Sequence, residues 1–354
     1  MRRTAPVIVL AAAAALLLTA CSGGAKSGAG STPKASSASS TSSASDLGCS
    51  LKPGSVTDAV KITGAVGAAP TVDVAKGLTA TTEQRKVLTT GNGVQPKAGA
   101  SVVVGFAAYD STSGKAISAP FGWGAQKGEL IVQLGDATKV PGLSRTFGCA
   151  PVGSRIVYAA TAATAFGSAA NVTNNFTDGS VKATDTVVFA GDVLDAIPQR
   201  ADGADQTPQA GFPTVTLASD GEPKVKIDSS ATPPTTTKVE VLKKGTGATV
   251  KSGDTVTVQY QGTEWKSGKI FDESWGTAHG GTFPSTPSSF PTTGVVKGFS
   301  KALVGQTVGS QVLVVIPPAD GYGATPPSGQ TTITKTSTLV FVIDILYTAA
   351  TPAS

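Results

Sequence analysis

Histidine is almost missing from this chain: His279 is the single copy in 354 residues, which excludes a multi-histidine metal centre. Charge is sparse at 14%, and beyond Arg2-Arg3 the lysines are scattered, so no basic face is available for nucleic acid. Aromatics make up 6% and cysteines number three. In their place stand Gly, Ala, Ser and Thr, a composition that favours strands and loops over charge-laced helices. The length is enough for two domains of ordinary size, each with its own core.

The first twenty residues read as a targeting segment. Arg2-Arg3 is a short positive region, and "VIVLAAAAALLL" (7–18) is an apolar run too short to cross a bilayer comfortably. "LTAC" (18–21) resembles a bacterial lipobox. The resemblance implies a lipoprotein signal peptide over 1–20, cleavage before Cys21 and lipidation of that residue. It places the protein outside the cytoplasm, on the outer face of the cell membrane. An ordinary signal peptide ending before a cysteine is the competing reading. Cleavage removes Arg2 and Arg3 from 28 basic against 23 acidic side chains, leaving +3, too little for electrostatic steering. The Ser/Ala/Gly-rich stretch over 21–48 holds almost nothing apolar enough to bury and is expected to be a disordered tether. Of the remaining cysteines, Cys49 and Cys149 suit one disulfide in an oxidising compartment, or two unpaired thiols.

An internal repeat organises the rest. "RKVLTTGNGVQPKAGASVVVGFAAYDSTSGK" (85–115) aligns without a gap on "VEVLKKGTGATVKSGDTVTVQYQGTEWKSGK" (239–269), an offset of 154. "VPGLSRTFGCAPVGSRIVYAATAATAFG" (140–167) aligns on "VKGFSKALVGQTVGSQVLVVIPPADGYG" (296–323), and "DTVVFAGDVLDA" (185–196) on "STLVFVIDILYT" (337–348). Even "PTVDV" (70–74) finds "PKVKI" (223–227). The pattern predicts tandem domains over 49–197 and 210–350, a linker over 198–209 and a short tail over 351–354.

Within the second repeat, 238–242, 255–260, 311–316 and 338–346 are β-branched and alternating or fully apolar, which predicts strands. Only "VVKGFSKAL" (295–303) spaces its apolar residues as a helix does: Val295, Val296, Phe299, Leu303. Each domain is thus expected to be α+β, an antiparallel sheet wrapped on one short helix.

The ordered motifs carry a resemblance. Gly-Asp-x-Val-x-Val-x-Tyr-x-Gly at 253–262, Ser-Gly-Lys-Ile-Phe-Asp-Glu-Ser at 267–274, Val-Val-Lys-Gly-Phe at 295–299 and Ile-Pro-Pro-Ala-Asp-Gly-Tyr-Gly at 316–323 run in sequence over roughly a hundred residues. The second repeat resembles an FKBP-type peptidyl-prolyl cis–trans isomerase. The resemblance implies a curled antiparallel sheet around the helix, an aromatic pocket between them, and no cofactor or metal. The catalytic set it implies is Tyr260, Asp272, Tyr322 and Phe341, with Phe271, Phe290, Val295, Val296, Phe299 and Ile333 binding substrate. Phe283 is the alternative to Phe290. Phe299 stands where the family usually has a Trp. The implied partners are proline-containing polypeptides and macrolides such as FK506 and rapamycin, beside the membrane reached through the lipid anchor.

In this reading Asp272 is a hydrogen-bonded orienting group rather than a general acid or base, and Glu273 is a solvated loop residue. Asp344, repeated as Asp192, is a structural hydrogen-bonding group, and His279 is exposed and inert. The first repeat carries Phe106, Phe166, Ile117, Ser118 and Leu143 at the pocket positions and keeps only Phe189. It reads as a degenerate copy: a spacer, a polypeptide-binding module or a partner for the active copy. The leading function is therefore a prolyl isomerase assisting the folding of extracytoplasmic proteins. Its competitor is a non-catalytic polypeptide-binding chaperone or scaffold on the same fold; a carbohydrate- or surface-binding β-sandwich fits the composition but not the motifs.

Overall fold

The computed structural model describes residues 47–350 apart from 129, 137–139, 229 and 277–286. The expected signal peptide, the lipidation site Cys21, His279, Phe283 and the tail lie outside the described residues. The tether expected up to residue 48 ends sooner, because Leu47 is already buried in a core with Phe147 and Ile156.

The chain opens with α1 (Ser55–Ala59) and a hairpin of β1 (Lys61–Thr63) and β2 (Thr71–Asp73). A six-stranded antiparallel sheet follows, made of β3 (Gln84–Thr89), β4 (Ser101–Asp110), β5 (Lys115–Phe121), β6 (Ile131–Gln133), β7 (Arg155–Thr161) and β8 (Thr186–Ile197). Its order is β3-β7-β8-β4-β5, with β6 also on β4. Helix α2 (Pro141–Phe147) precedes β7, and α3 (Ala162–Ala165) and α4 (Ala169–Asn175) lie between β7 and β8.

The second half repeats the pattern. After β9 (Ala204–Asp205) come the hairpin β10 (Thr214–Leu217) and β11 (Pro223–Lys226), then β12 (Lys238–Lys244), β13 (Thr255–Glu264), β14 (Ile270–Glu273) and β15 (Ser288–Pro291). Helix α5 (Lys297–Leu303), β16 (Gln311–Ile316) and β17 (Leu339–Ala349) complete it. The order is β9-β12-β16-β17-β13-β14, with β15 also on β13. Apart from β9, the connections match those of the first sheet strand for strand. The irregularities match as well: register shifts at Val87/Thr89 and Val103/Val104 recur at Val241/Lys243 and Thr257/Val258.

Alternation explains how β13 works. Val256 and Val258 face the helix-covered core, while Thr257, Gln259 and Gln261 are buried on the opposite face. Helix α5 buries Gly298, Phe299, Ala302 and Leu303, one stripe along a short helix. Gly298 lets it sit on the sheet: a Cβ there would lie 2.4 Å from Ile316 Cγ2. The two sheets meet through Val103, Ile197 and Leu346, with Tyr347 beside them. Burial and the nearby Asp195 carboxylate push the Tyr347 phenol up to about 12.

Three expectations are corrected. The helix begins at Lys297, because Val296 is its N-cap with an extended ψ of 149°, so Val295 and Val296 lead into it rather than forming its first turn. Among the described residues the first half carries four helices instead of one, and α3 and α4 stand where the second half has a 3-10 turn at Pro318–Asp320. The segment expected as a linker, 198–209, is ordered against the second sheet: it supplies β9, Ala201 N–H donates to Asp344 at 2.8 Å, and Gly203 N–H donates to the Gly309 carbonyl at 2.9 Å.

Cys49 and Cys149 are disulfide-bonded across 100 residues, with Cα atoms 5.6 Å apart. Closing a loop of that length removes chain entropy from the unfolded state. Cys149→Ser is therefore expected to lower the unfolding free energy by up to about 4.7 kcal/mol in the chain-entropy model, read from urea denaturation. An unchanged midpoint would mean that the unfolded first half is already compact around this pair.

Candidate active site

The pocket residues come from seven places in the second half. Tyr260 stands on β13, Phe271 and Asp272 on β14, Phe290 on β15 and Phe299 on α5, while Phe341 stands on β17. Val295 and Val296 lead into α5, Tyr322 follows the 3-10 turn, and Ile333 lies in the loop before β17. All except Asp272 share one apolar cluster, and Asp272 joins it through Tyr260.

The rings meet edge to face. Phe299 and Phe341 are 5.0 Å apart at 85°, Phe271 and Phe341 5.4 Å at 88°, and Tyr260 and Phe299 6.1 Å at 88°. Phe290 closes on Phe299 at 5.7 Å. Such pairs set a ring's electropositive edge against its neighbour's face, which fixes orientation beyond simple burial. Gly262 makes the arrangement possible. It pairs with both Phe341 and Asp272 across the ladder, and a Cβ there would come within 2.6 Å of the Phe341 ring and 2.7 Å of the Phe271 ring.

The polar part is small. Tyr260 donates its hydroxyl to Asp272 Oδ2 at 2.8 Å. Burial, then the Asp272 carboxylate, push the Tyr260 phenol well above the usual tyrosine range, and the same two causes in the same order raise Tyr322. Both hydroxyls therefore lose their protons at a higher pH than a free tyrosine does. Turnover should not decline as pH passes through about 10, the ordinary tyrosine value. A pH profile of kcat/KM checks this, and a fall centred there would show that a pocket phenol titrates as if in water.

Several supporting residues were not singled out from the sequence. Ser274 Oγ accepts from Tyr260 N–H at 2.8 Å, and its own N–H donates to the Tyr260 carbonyl at 2.9 Å, which pins the end of β14 beside that tyrosine. Gln330 donates to the Phe271 carbonyl at 2.9 Å and ties the Ile333 loop to the strand bearing Asp272. Glu273 departs from its expected solvated role. It ends β14 half-buried and accepts from Gln261 at 3.0 Å. Asp344 accepts from Gln311 at 2.6 Å, and burial raises its carboxyl. Among the described residues no group of His, Cys, Asp and Glu is arranged to hold a metal.

At the corresponding place in the first half a different set of rings packs together. Phe106, Phe166 and Phe189 pack together, with Phe106 and Phe189 5.1 Å apart. Phe176 from α4 reaches Phe166 at 5.3 Å, and Tyr158, at the position of Val314, lies 6.0 Å from Phe189. Ala108 replaces Gly262. Ser118, at the position of Asp272, is turned to its own sheet and accepts from Ala108 N–H at 3.1 Å.

A family model described as FKBP-type peptidyl-prolyl cis–trans isomerase matches residues 247–346, the segment that carries this pocket. The chain is 33% identical over 102 residues to a probable FK506-binding protein of Corynebacterium glutamicum, a match covering 29% of this chain and 78% of that protein. It is 36% identical over 107 residues to the FKBP-type isomerase FkpA of Escherichia coli, covering 30% of this chain and 36% of that one. The crystal structure of FkpA aligns at a TM-score of 0.28 and 32% identity, over 39% of this chain and 53% of that chain. The likeness in sequence falls on the half in which the rings of Phe271, Phe299 and Phe341 meet beside a hydroxyl–carboxylate pair, and by it the chain belongs to the FKBP-type peptidyl-prolyl cis–trans isomerase family.

Proposed function

We propose that this protein is a peptidyl-prolyl cis–trans isomerase made of two tandem FKBP-like domains, over 49–197 and 210–350, with activity in the second. The reading extends to a lipoprotein held at the outer face of the cell membrane through Cys21, where it assists the folding of extracytoplasmic proteins. The observation that carries the assignment of activity is the Tyr260–Asp272 hydrogen bond at the edge of the aromatic pocket, whose counterparts in the first half are Phe106 and Ser118. The repeated strand order and the repeated register shifts support the duplication.

The reaction requires no nucleophile. Rotation about an X-Pro bond passes a barrier of ~18–20 kcal/mol because twisting breaks amide resonance. A catalyst has only to bind the twisted amide better than either planar form. The cluster of Phe271, Phe299 and Phe341 takes the proline ring and strips water from the preceding carbonyl. That carbonyl loses partial charge as resonance is lost, so an apolar wall favours the twisted state. Tyr322 donates its hydroxyl to a substrate carbonyl, and Asp272 holds Tyr260 in place beside it.

The test is a tetrapeptide isomerase assay on the full chain, with FK506 titrated into it. Turnover that ceases at one equivalent of macrolide per chain supports a single working pocket. Two equivalents would assign activity to the first half as well. Macrolide binding without turnover would favour the polypeptide-binding alternative. The anchor is tested separately by cell fractionation, in which Cys21→Ala should release the protein from the membrane.

A further inference from the structure

The two sheets differ at one edge far from the pocket residues in sequence. In the second half the outer edge of β12 is covered by β9: Lys243 pairs with Asp205, Lys244 with Ala204, and Gln206 N–H donates to the Leu242 carbonyl at 2.9 Å. The covering strand is the extended segment that runs into the second half. Its counterpart in the first half takes another route. Lys52 meets only the start of β3, where its carbonyl accepts from Arg85 N–H at 2.9 Å, and Gln84 accepts from the first turn of α1. Past Lys86, no described residue pairs with the outer edge of β3. Leu88 stands at the position of Leu242, and its carbonyl has no partner among the described residues.

That edge is apolar. Val87 is 38% exposed, Leu88 36% and Val94, in the following loop, 71%. Val304, Ile270 and Leu217 are the other exposed large hydrophobics among the described residues, so half of the set lies within eight positions. The stretch "VLTTGNGV" (87–94) has no charge and no proline. Proteins ordinarily blunt such an edge with lysine, proline or a covering segment. The second half does so with β9, and its Lys243 and Lys244 replace Thr89 and Thr90.

The geometry points to a docking site on the outer edge of β3, Val87–Thr90 with Val94, that takes an extended, uncharged, apolar stretch of unfolded polypeptide as an added strand. This rests on the reading that the protein acts on polypeptides. On the equivalent edge of the second half an extended segment binds through backbone hydrogen bonds in a defined register. Main-chain pairing accepts many sequences, while the flanking apolar side chains select against charge. A client held at β3 stays near the second half while its prolines exchange in the pocket, which raises their effective concentration there.

The probe is a fluorescent, proline-free peptide with a Val/Leu/Thr-rich centre and lysines only at its ends, titrated against the full chain by anisotropy. Leu88→Lys should weaken binding at least tenfold, and Thr90→Pro, which places a ring on the same edge, should do likewise. Val304→Lys, at an exposed apolar site elsewhere, should leave binding unchanged, and all three variants should isomerise a tetrapeptide at the parent rate. Equal affinity of Leu88→Lys and the parent overturns the proposal. So does a parent chain that binds no peptide but self-associates through this edge, with Leu88→Lys monomeric in sedimentation. Edge-dependent peptide binding without tetrapeptide turnover would instead sink the isomerase reading and leave the docking site standing.

Discussion

Phe341→Ala is expected to lower the unfolding free energy by about 3–5 kcal/mol, the usual cost of truncating a buried phenylalanine. Phe341 is 4% exposed on a central strand and is the ring on which the others converge, 5.0 Å from Phe299, 5.4 Å from Phe271 and 6.3 Å from Tyr260. Truncation removes the contacts of three partners at once, and β17 cannot move to refill the space because it is paired on both sides. The loss should appear in the urea midpoint at an unchanged slope. Activity should fall with it, because the same ring lines the pocket. Phe189→Ala makes the comparison informative. Phe189 is 1% exposed among Phe106, Phe166 and Tyr158, so its loss of stability should be similar, yet turnover should be unaffected. A loss below about 1 kcal/mol at Phe341 would mean the rings are not packed against one another.

Much of this was legible in the residues. The runs over 255–260, 311–316 and 338–346 form strands because β-branched side chains on both faces are buried. The gap-free alignment of the halves placed β3 opposite β12 and β4 opposite β13, and the structure adds that even their register shifts coincide. Apolar spacing finds helix α5 but starts it two residues early. Spacing alone cannot separate a first helical turn from an extended β-branched pair that happens to be half-buried. Helices α3 and α4 were missed for the opposite reason. Their caps were in plain view: Thr161 accepts from Thr164 N–H at 3.3 Å and Ser168 from Asn171 N–H at 3.1 Å. The match to the second half, which has no such helices, masked those signals.

The pocket was legible where a motif named a side chain and obscure where the structure depends on room. Gly262 was part of a quoted motif, yet its function is the absence of a Cβ beneath two rings, which appears only once the strands are paired. Gln330 sits in a loop of Pro, Gly, Ser and Thr with no periodicity, so its bond to the Phe271 carbonyl had no local signal. The first half shows the same limit. Substitutions at the pocket positions are plain, but Tyr158 and Phe176, which pack on those rings, come from positions the pocket pattern does not include.

Asp272→Val separates a pocket that merely fits proline from one that positions a hydroxyl. The carboxylate accepts the Tyr260 hydroxyl at 2.8 Å, and a hydrogen bond to a charged group contributes about 1.5–3 kcal/mol. If losing it frees the phenol from the position in which it meets the twisted amide, so that a like energy is lost from the transition state alone, kcat/KM for a proline tetrapeptide should fall about ten- to a hundredfold. The sheet should persist, since β14 is held to β13 by its ladder and by Ser274. Asp272→Asn should fall less, because an amide oxygen still accepts from the phenol. If Asp272 acts through Tyr260, then Tyr260→Phe should cost a similar factor, and the double variant little more than either alone. Full additivity would mean that the carboxylate faces the twisting amide directly. Unchanged turnover in Asp272→Val would remove the carboxylate from the reaction and leave it to the rings and the tyrosine hydroxyls.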